Sequence, residues 1–146
     1  MPFYEQNGLR YFSFDIFSNA IKQAVFTRRG GISPDPWHSL NLGGSVGDDP
    51  ARVAQNRIHV FHTMGCEPAT IHDVWLVHGT SIVYADAPRS LEAPSAKADI
   101  LFTDNPKVSL FMRFGDCVPI MFHDPIENII GIAHAGWMGT LRGVAK

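Results

Sequence analysis

Cysteine is scarce in this sequence, charge is sparse and no apolar run is long. Two cysteines, Cys66 and Cys117, stand 51 residues apart. The segment Met1 to Arg10 carries Glu5, Gln6 and Asn7 where an export signal needs a basic start and an apolar stretch. A disulfide framework is therefore not expected, free thiols are the expectation, and the expected compartment is the cytoplasm. The longest apolar runs are broken by Asp, His or Arg, well short of the roughly 18 to 20 residues a membrane-spanning helix needs. Charged residues make up 18% of the chain, the net charge is -2, and Arg28-Arg29 is the one adjacent basic pair. Neither nucleic acid nor a membrane is an expected partner.

What is present is an ordinary globular balance, 45% hydrophobic over 146 residues, without repeats or low-complexity tracts. The expectation is one domain spanning 1–146. Tyr11 to Phe17 and Ile21 to Thr27 are aromatic and β-branched and read as strands, with Ser18-Asn19 as turn chemistry between them. Arg28 to Gly47 is dense in Gly, Pro, Ser and Asn and reads as a long, functional loop. Asp49-Pro50 reads as a helix N-cap with Pro at the first position, and Val53, Arg57, Val60, Phe61 and Met64 keep helical spacing until Gly65. Six short apolar runs follow: Asp73 to Val77, Ser81 to Ala85, Ile100 to Thr103, Val108 to Phe114, Val118 to Phe122 and Ile129 to Ala133. They predict a mostly β second half, with a helix beginning within Gly136 to Lys146.

Three polar side chains fall where these strands should meet loops: His78 before Gly79, Cys117 after Gly115-Asp116, and His134 before Ala135-Gly136. Two imidazoles and a thiolate form a three-ligand catalytic zinc set that leaves the fourth tetrahedral position open. The separations of 39 and 17 residues exclude a local zinc knuckle, so such a site must be assembled by tertiary folding. The plainer alternative is a core thiol and two histidines closing strands, and spacing leaves both open. His59 and His62 lie three apart on the helix and read as a solvated face; His38, His72 and His123 carry no assigned role.

Segments spread through the chain add a resemblance. Phe26-Thr27-Arg28-Arg29-Gly30-Gly31-Ile32-Ser33, Ser39-Leu40-Asn41-Leu42-Gly43, Gly47-Asp48-Asp49-Pro50, Asn56-Arg57, Val77-His78-Gly79, Ala98-Asp99, Asp116-Cys117-Val118-Pro119 and His134-Ala135-Gly136-Trp137 occur in this order. Together they resemble the YfiH family, labelled laccase-like or polyphenol oxidase and also purine nucleoside phosphorylase, over Val25 to Gly143. The resemblance implies an α+β fold of packed mixed β-sheets flanked by helices, in α/β/β/α layers. It implies that His78, Cys117 and His134 are the metal-binding and catalytic trio, with zinc as the ion and copper as an alternative occupant. Asn41 and Arg57 would line the substrate pocket; without the resemblance they read as a loop cap and an exposed helix charge.

The implied activities are phosphorolysis of adenosine, inosine and methylthioadenosine, and hydrolytic deamination of adenosine, so purine nucleoside and phosphate are the expected partners. Arg57, Arg28 and Arg29 are candidates for an anion site. Asp116 beside the thiol either moves protons or fixes the loop. Where relatives commonly carry Gln, Ala and Arg, this chain has Leu76, Gly115 and Met138. Met138 implies the loss of a charge-assisted contact to phosphate or substrate. Relatives also continue beyond Lys146, so the expectation is the N-terminal part of a longer domain, with a homo-oligomer or a completing chain. Other readings are a metal-free Cys/His hydrolase or deamidase with Cys117 as nucleophile, a copper polyphenol oxidase, and a non-catalytic remnant. A multicopper centre typically uses His-x-His pairs, and none of the seven histidines stand two apart.

Overall fold

Asn7-Gly8 joins the first two strands, β1 (Phe3–Gln6) and β2 (Leu9–Phe12), as a two-residue hairpin in which both turn residues have positive φ, 53° and 77°. Asn-Gly is the favoured sequence for that turn, because Gly carries no Cβ penalty there and Asn tolerates the left-handed region. The structure, a computed structural model, describes residues 3–17, 21–90 and 92–146. The expected turn at Ser18-Asn19 lies outside the described residues.

Two compact units make up the chain, Met1–Pro68 and Ala69–Lys146. In the first, β2 also pairs antiparallel with β3 (Val25–Phe26), giving a three-stranded sheet. The expected strand over Tyr11 to Phe17 stops at Phe12, and Asp15–Phe17 forms a 3-10 turn. There Gln23 takes over the backbone of Phe14, accepting from its N–H and donating to its carbonyl. The strand expected from Ile21 to Thr27 is reduced to Val25–Phe26. Helix α1 runs over Pro50–Met64, with the Asp49 side chain accepting from Ala51 N–H at 2.8 Å and Gly65 closing it in the left-handed conformation.

In the second unit, β4 (Ile71–Asp73) pairs parallel with β7 (Ser109–Phe111). A four-stranded mixed sheet has the order β5 (Ile82–Tyr84), β6 (Ile100–Thr103), β9 (Ile129–Ala135), β8 (Val118–Asp124). Strand β6 is buried on both faces: Leu101 packs with Val74, Ala85, Ala98, Val108 and Met112, while Ile100 packs with Ala133 and Val144. Such a strand reads as a continuous apolar run, as Ile100 to Phe102 does. A short helix α2 (Trp137–Leu141) follows β9. The architecture is the expected α+β: the described residues form an antiparallel sheet, a parallel pair, one mixed sheet and two α-helices. No helix among the described residues is long and apolar enough to cross a membrane.

Candidate metal centre

His78 lies in a bend five residues past β4, with φ 58°. Val74 is buried in the core and Trp75 bridges Lys97; the next backbone donors then turn away from any strand. Val77, His78 and Gly79 donate their N–H groups to the carboxylate of Asp99 at 3.2, 2.9 and 2.7 Å. His78 is thus not at a strand end, as its apolar prefix led us to expect, because a buried carboxylate replaces the neighbouring strand. Cys117 is half-buried in the bend just before β8. His134 sits inside β9 rather than after it, buried, with its backbone N–H donating to the Asp99 carbonyl at 2.8 Å and its Nδ1 2.9 Å from Asp99 Oδ1.

The folding of these segments brings one ligand atom from each of His78, Cys117 and His134 within 4.8 Å of one another. Among the described residues this is the one cluster of three or more such side chains. The two imidazoles meet edge to face with centroids 4.9 Å apart, and the Phe114 ring lies 5.6 Å from that of His134. Gly136 keeps the space between the donors open: a Cβ there would stand 3.0 Å from His78 Cδ2 and 3.1 Å from Cys117 Sγ. Two imidazole nitrogens and a thiol sulfur this close together are a donor set suited to one metal ion, with the chemistry of a three-ligand site.

Burial alone would raise the Asp99 carboxyl; the hydrogen bonds from Gly79, His134, Val77 and His78 outweigh it and hold it below the ordinary carboxylate value. The Cys117 thiol is pushed up, first by burial and then by the charge of Asp116, whose Oδ1 it faces at 3.7 Å. Asp99 is the residue that sequence reading left without a role, while Gly136 is legible there only as a glycine near His134 that allows close approach. The signal for Asp99 is a lone acid between Ala98 and an apolar run, because a carboxylate buried there must be surrounded by donors.

Asn41 and Arg57 belong to the first unit. Asn41 Oδ1 accepts from Gly43 N–H at 3.0 Å, and its Nδ2 donates to Asp48 at 3.1 Å. Arg57 donates twice to the Leu42 carbonyl, at 2.9 and 2.7 Å. Both therefore shape the long loop directly. Of the other histidines, His59 contacts the Asn7 carbonyl and His72 the Ala87 carbonyl.

A family model described as multi-copper polyphenol oxidoreductase laccase matches residues 22–146. The solved structure of the hypothetical protein YfiH from Bacillus licheniformis superposes with a TM-score of 0.87 at 32% identity, covering 99% of this chain and 55% of that one. This chain belongs to the YfiH family. YlmD from Geobacillus stearothermophilus gives the same TM-score at 33% identity, with 98% and 55% covered. Among curated relatives, the purine nucleoside phosphorylase ORF3 of Streptomyces griseus is 40% identical over 125 residues, 84% of this chain and 50% of that protein. The purine nucleoside phosphorylase PA4543 of Pseudomonas aeruginosa is 38% identical over 128 residues, 86% and 49%. The chain spans about half the length of the curated relatives it matches. At the positions where this YfiH-family chain departs from the expected motifs, Leu76 packs against the core around Leu101, Gly115 is exposed in the Cys117 bend, and Met138 is half-buried in α2.

Proposed function

We propose that His78, Cys117 and His134 hold one zinc ion and that the chain is the metal-bearing part of a purine nucleoside enzyme. Its reactions would be phosphorolysis of adenosine, inosine or methylthioadenosine, and deamination of adenosine. The observation that carries this reading is the convergence of the three ligand atoms beside the space kept by Gly136. The substrate class is supported by the relatives named purine nucleoside phosphorylase.

In phosphorolysis the bond between C1′ and the base nitrogen breaks, a phosphate oxygen bonds to C1′, and the base leaves with a proton. In deamination a water oxygen replaces the amine on the purine ring, which departs as ammonia. Zinc bound by two imidazoles and a thiolate supplies Lewis-acid activation of an oxygen nucleophile near neutral pH. The chain's own residues set that up: Asp99 orients His134, Gly136 leaves room for the reacting group, and Cys117 gives up its proton when it binds a cation. Asn41 and Arg57 are assigned to substrate binding, Arg57 offering a charge that pairs with phosphate.

The test is metal content and turnover on the same preparations. We expect close to one zinc per chain and phosphate-dependent release of purine base from inosine, both lost in Cys117→Ala. Zinc retained by that variant, or no base released by the zinc-loaded wild type, would sink the reading.

A further inference from the structure

The side chain of Asp99 is buried, and its four hydrogen-bonding partners divide two and two between its oxygens. Oδ1 accepts from the His78 backbone N–H and faces His134 Nδ1, both at 2.9 Å. Oδ2 accepts from Val77 and Gly79, at 3.2 and 2.7 Å. One carboxylate thus touches two of the three ligand residues in different ways: the ring of His134 on β9, and the backbone of the bend in which His78 takes a positive φ. An ionised carboxylate only accepts, so the His134 nitrogen that faces it must carry a proton, which leaves Nε2 with the lone pair. A non-glycine residue in the left-handed region also needs its surroundings to hold it there, and the three N–H groups on Asp99 do so.

We propose that Asp99 is the positioning residue of the centre, setting the tautomer of His134 and the backbone conformation of His78 through one buried side chain. This rests on the metal-centre reading above. Asp99→Asn keeps the shape of the side chain but turns one oxygen into an NH2 donor. With NH2 in place of Oδ1, it donates to His134 Nδ1, moves the ring proton to Nε2 and blocks that donor, and the His78 N–H loses its acceptor. With NH2 in place of Oδ2, the N–H groups of Val77 and Gly79 lose their acceptor and the His78 bend is released. Either orientation damages at least one ligand, so the substitution has no harmless form.

Two measurements test this. In the metal-free wild type, long-range 1H–15N correlation spectra of the histidine rings are expected to show His134 protonated at Nδ1; a neutral Nε2–H tautomer would overturn the proposal, and this measurement needs no variant to fold. In zinc competition against a chromophoric chelator, Asp99→Asn is expected to bind about 10- to 100-fold more weakly than the wild type, with its circular dichroism unchanged. Affinity equal to the wild type would overturn it. A wild type that binds no zinc would end the metal-centre reading, while the tautomer spectrum would still decide the role of Asp99.

Discussion

Gly136 is the residue at which the centre tolerates least change in size. The Cβ of an alanine there would sit 3.0 Å from an imidazole carbon and 3.1 Å from a sulfur, closer than such atoms ordinarily pack, and both neighbours are ligand side chains. Its backbone φ of -73° is one that alanine adopts without strain, so the substitution acts on the site and leaves the chain's conformation alone. Gly136→Ala is therefore expected to weaken zinc binding and lower turnover at least tenfold, while the thermal midpoint of the metal-free protein moves by only a few degrees. Parallel calorimetry and zinc titration check this, and unchanged zinc affinity would contradict it. The segment His134-Ala135-Gly136-Trp137 includes this glycine, but the sequence does not show what it makes room for, because the close approach exists only once β8 and β9 have paired and the His78 bend has formed.

At the scale of elements, legibility followed how local the determining interactions are. Helix α1 was readable at both ends, since Asp49, Pro50 and Gly65 act on their immediate neighbours. Strands β6, β8 and β9 were readable from apolar runs, whereas β1 was passed over although Asn7-Gly8 announces its hairpin. The long loop was placed correctly, but its internal order was not, because that order depends on side chains far apart in sequence. Asn56 on α1 donates to Ser33 Oγ and to the carbonyls of Ser39 and Asn41, and Asp48 Oδ2 accepts from Ser33 at 2.6 Å. The hydrogen bond from Ser33 lowers the Asp48 carboxyl most; burial opposes it, and Asn41, the Asp49 N–H and Arg52 add to the lowering. A carboxyl lowered in the folded state stabilises the loop fully above its unfolded value near 3.8, and that contribution disappears as pH falls through the folded value. Wild type is accordingly expected to lose more stability than Asp48→Asn between about pH 7 and about pH 3. Urea midpoints at the two pH values measure this, and equal losses would show that Asp48 carries no such linkage.

Across the whole molecule, the candidate ligands come from segments that meet only through non-local pairing: β4 joins β7 across 38 residues, and β6 joins β9 across roughly 30. Spacing of 39 and 17 residues could not show that the three side chains converge, and the family resemblance supplied what spacing lacked. An ion bound by all three ties these segments together in the native state and finds no comparable site once they separate. A ligand that binds the folded state at a free concentration of 100 times its Kd adds about 2.7 kcal/mol of stability. With two compact units in the chain, unfolding need not be a single transition, so the full calorimetric profile is the relevant measurement. Zinc is expected to raise the endotherm that reports the second unit by several degrees, a chelator to reverse the shift, and Cys117→Ala to show none. An equal shift in Cys117→Ala would mean that the ion stabilises the protein from somewhere other than His78, Cys117 and His134.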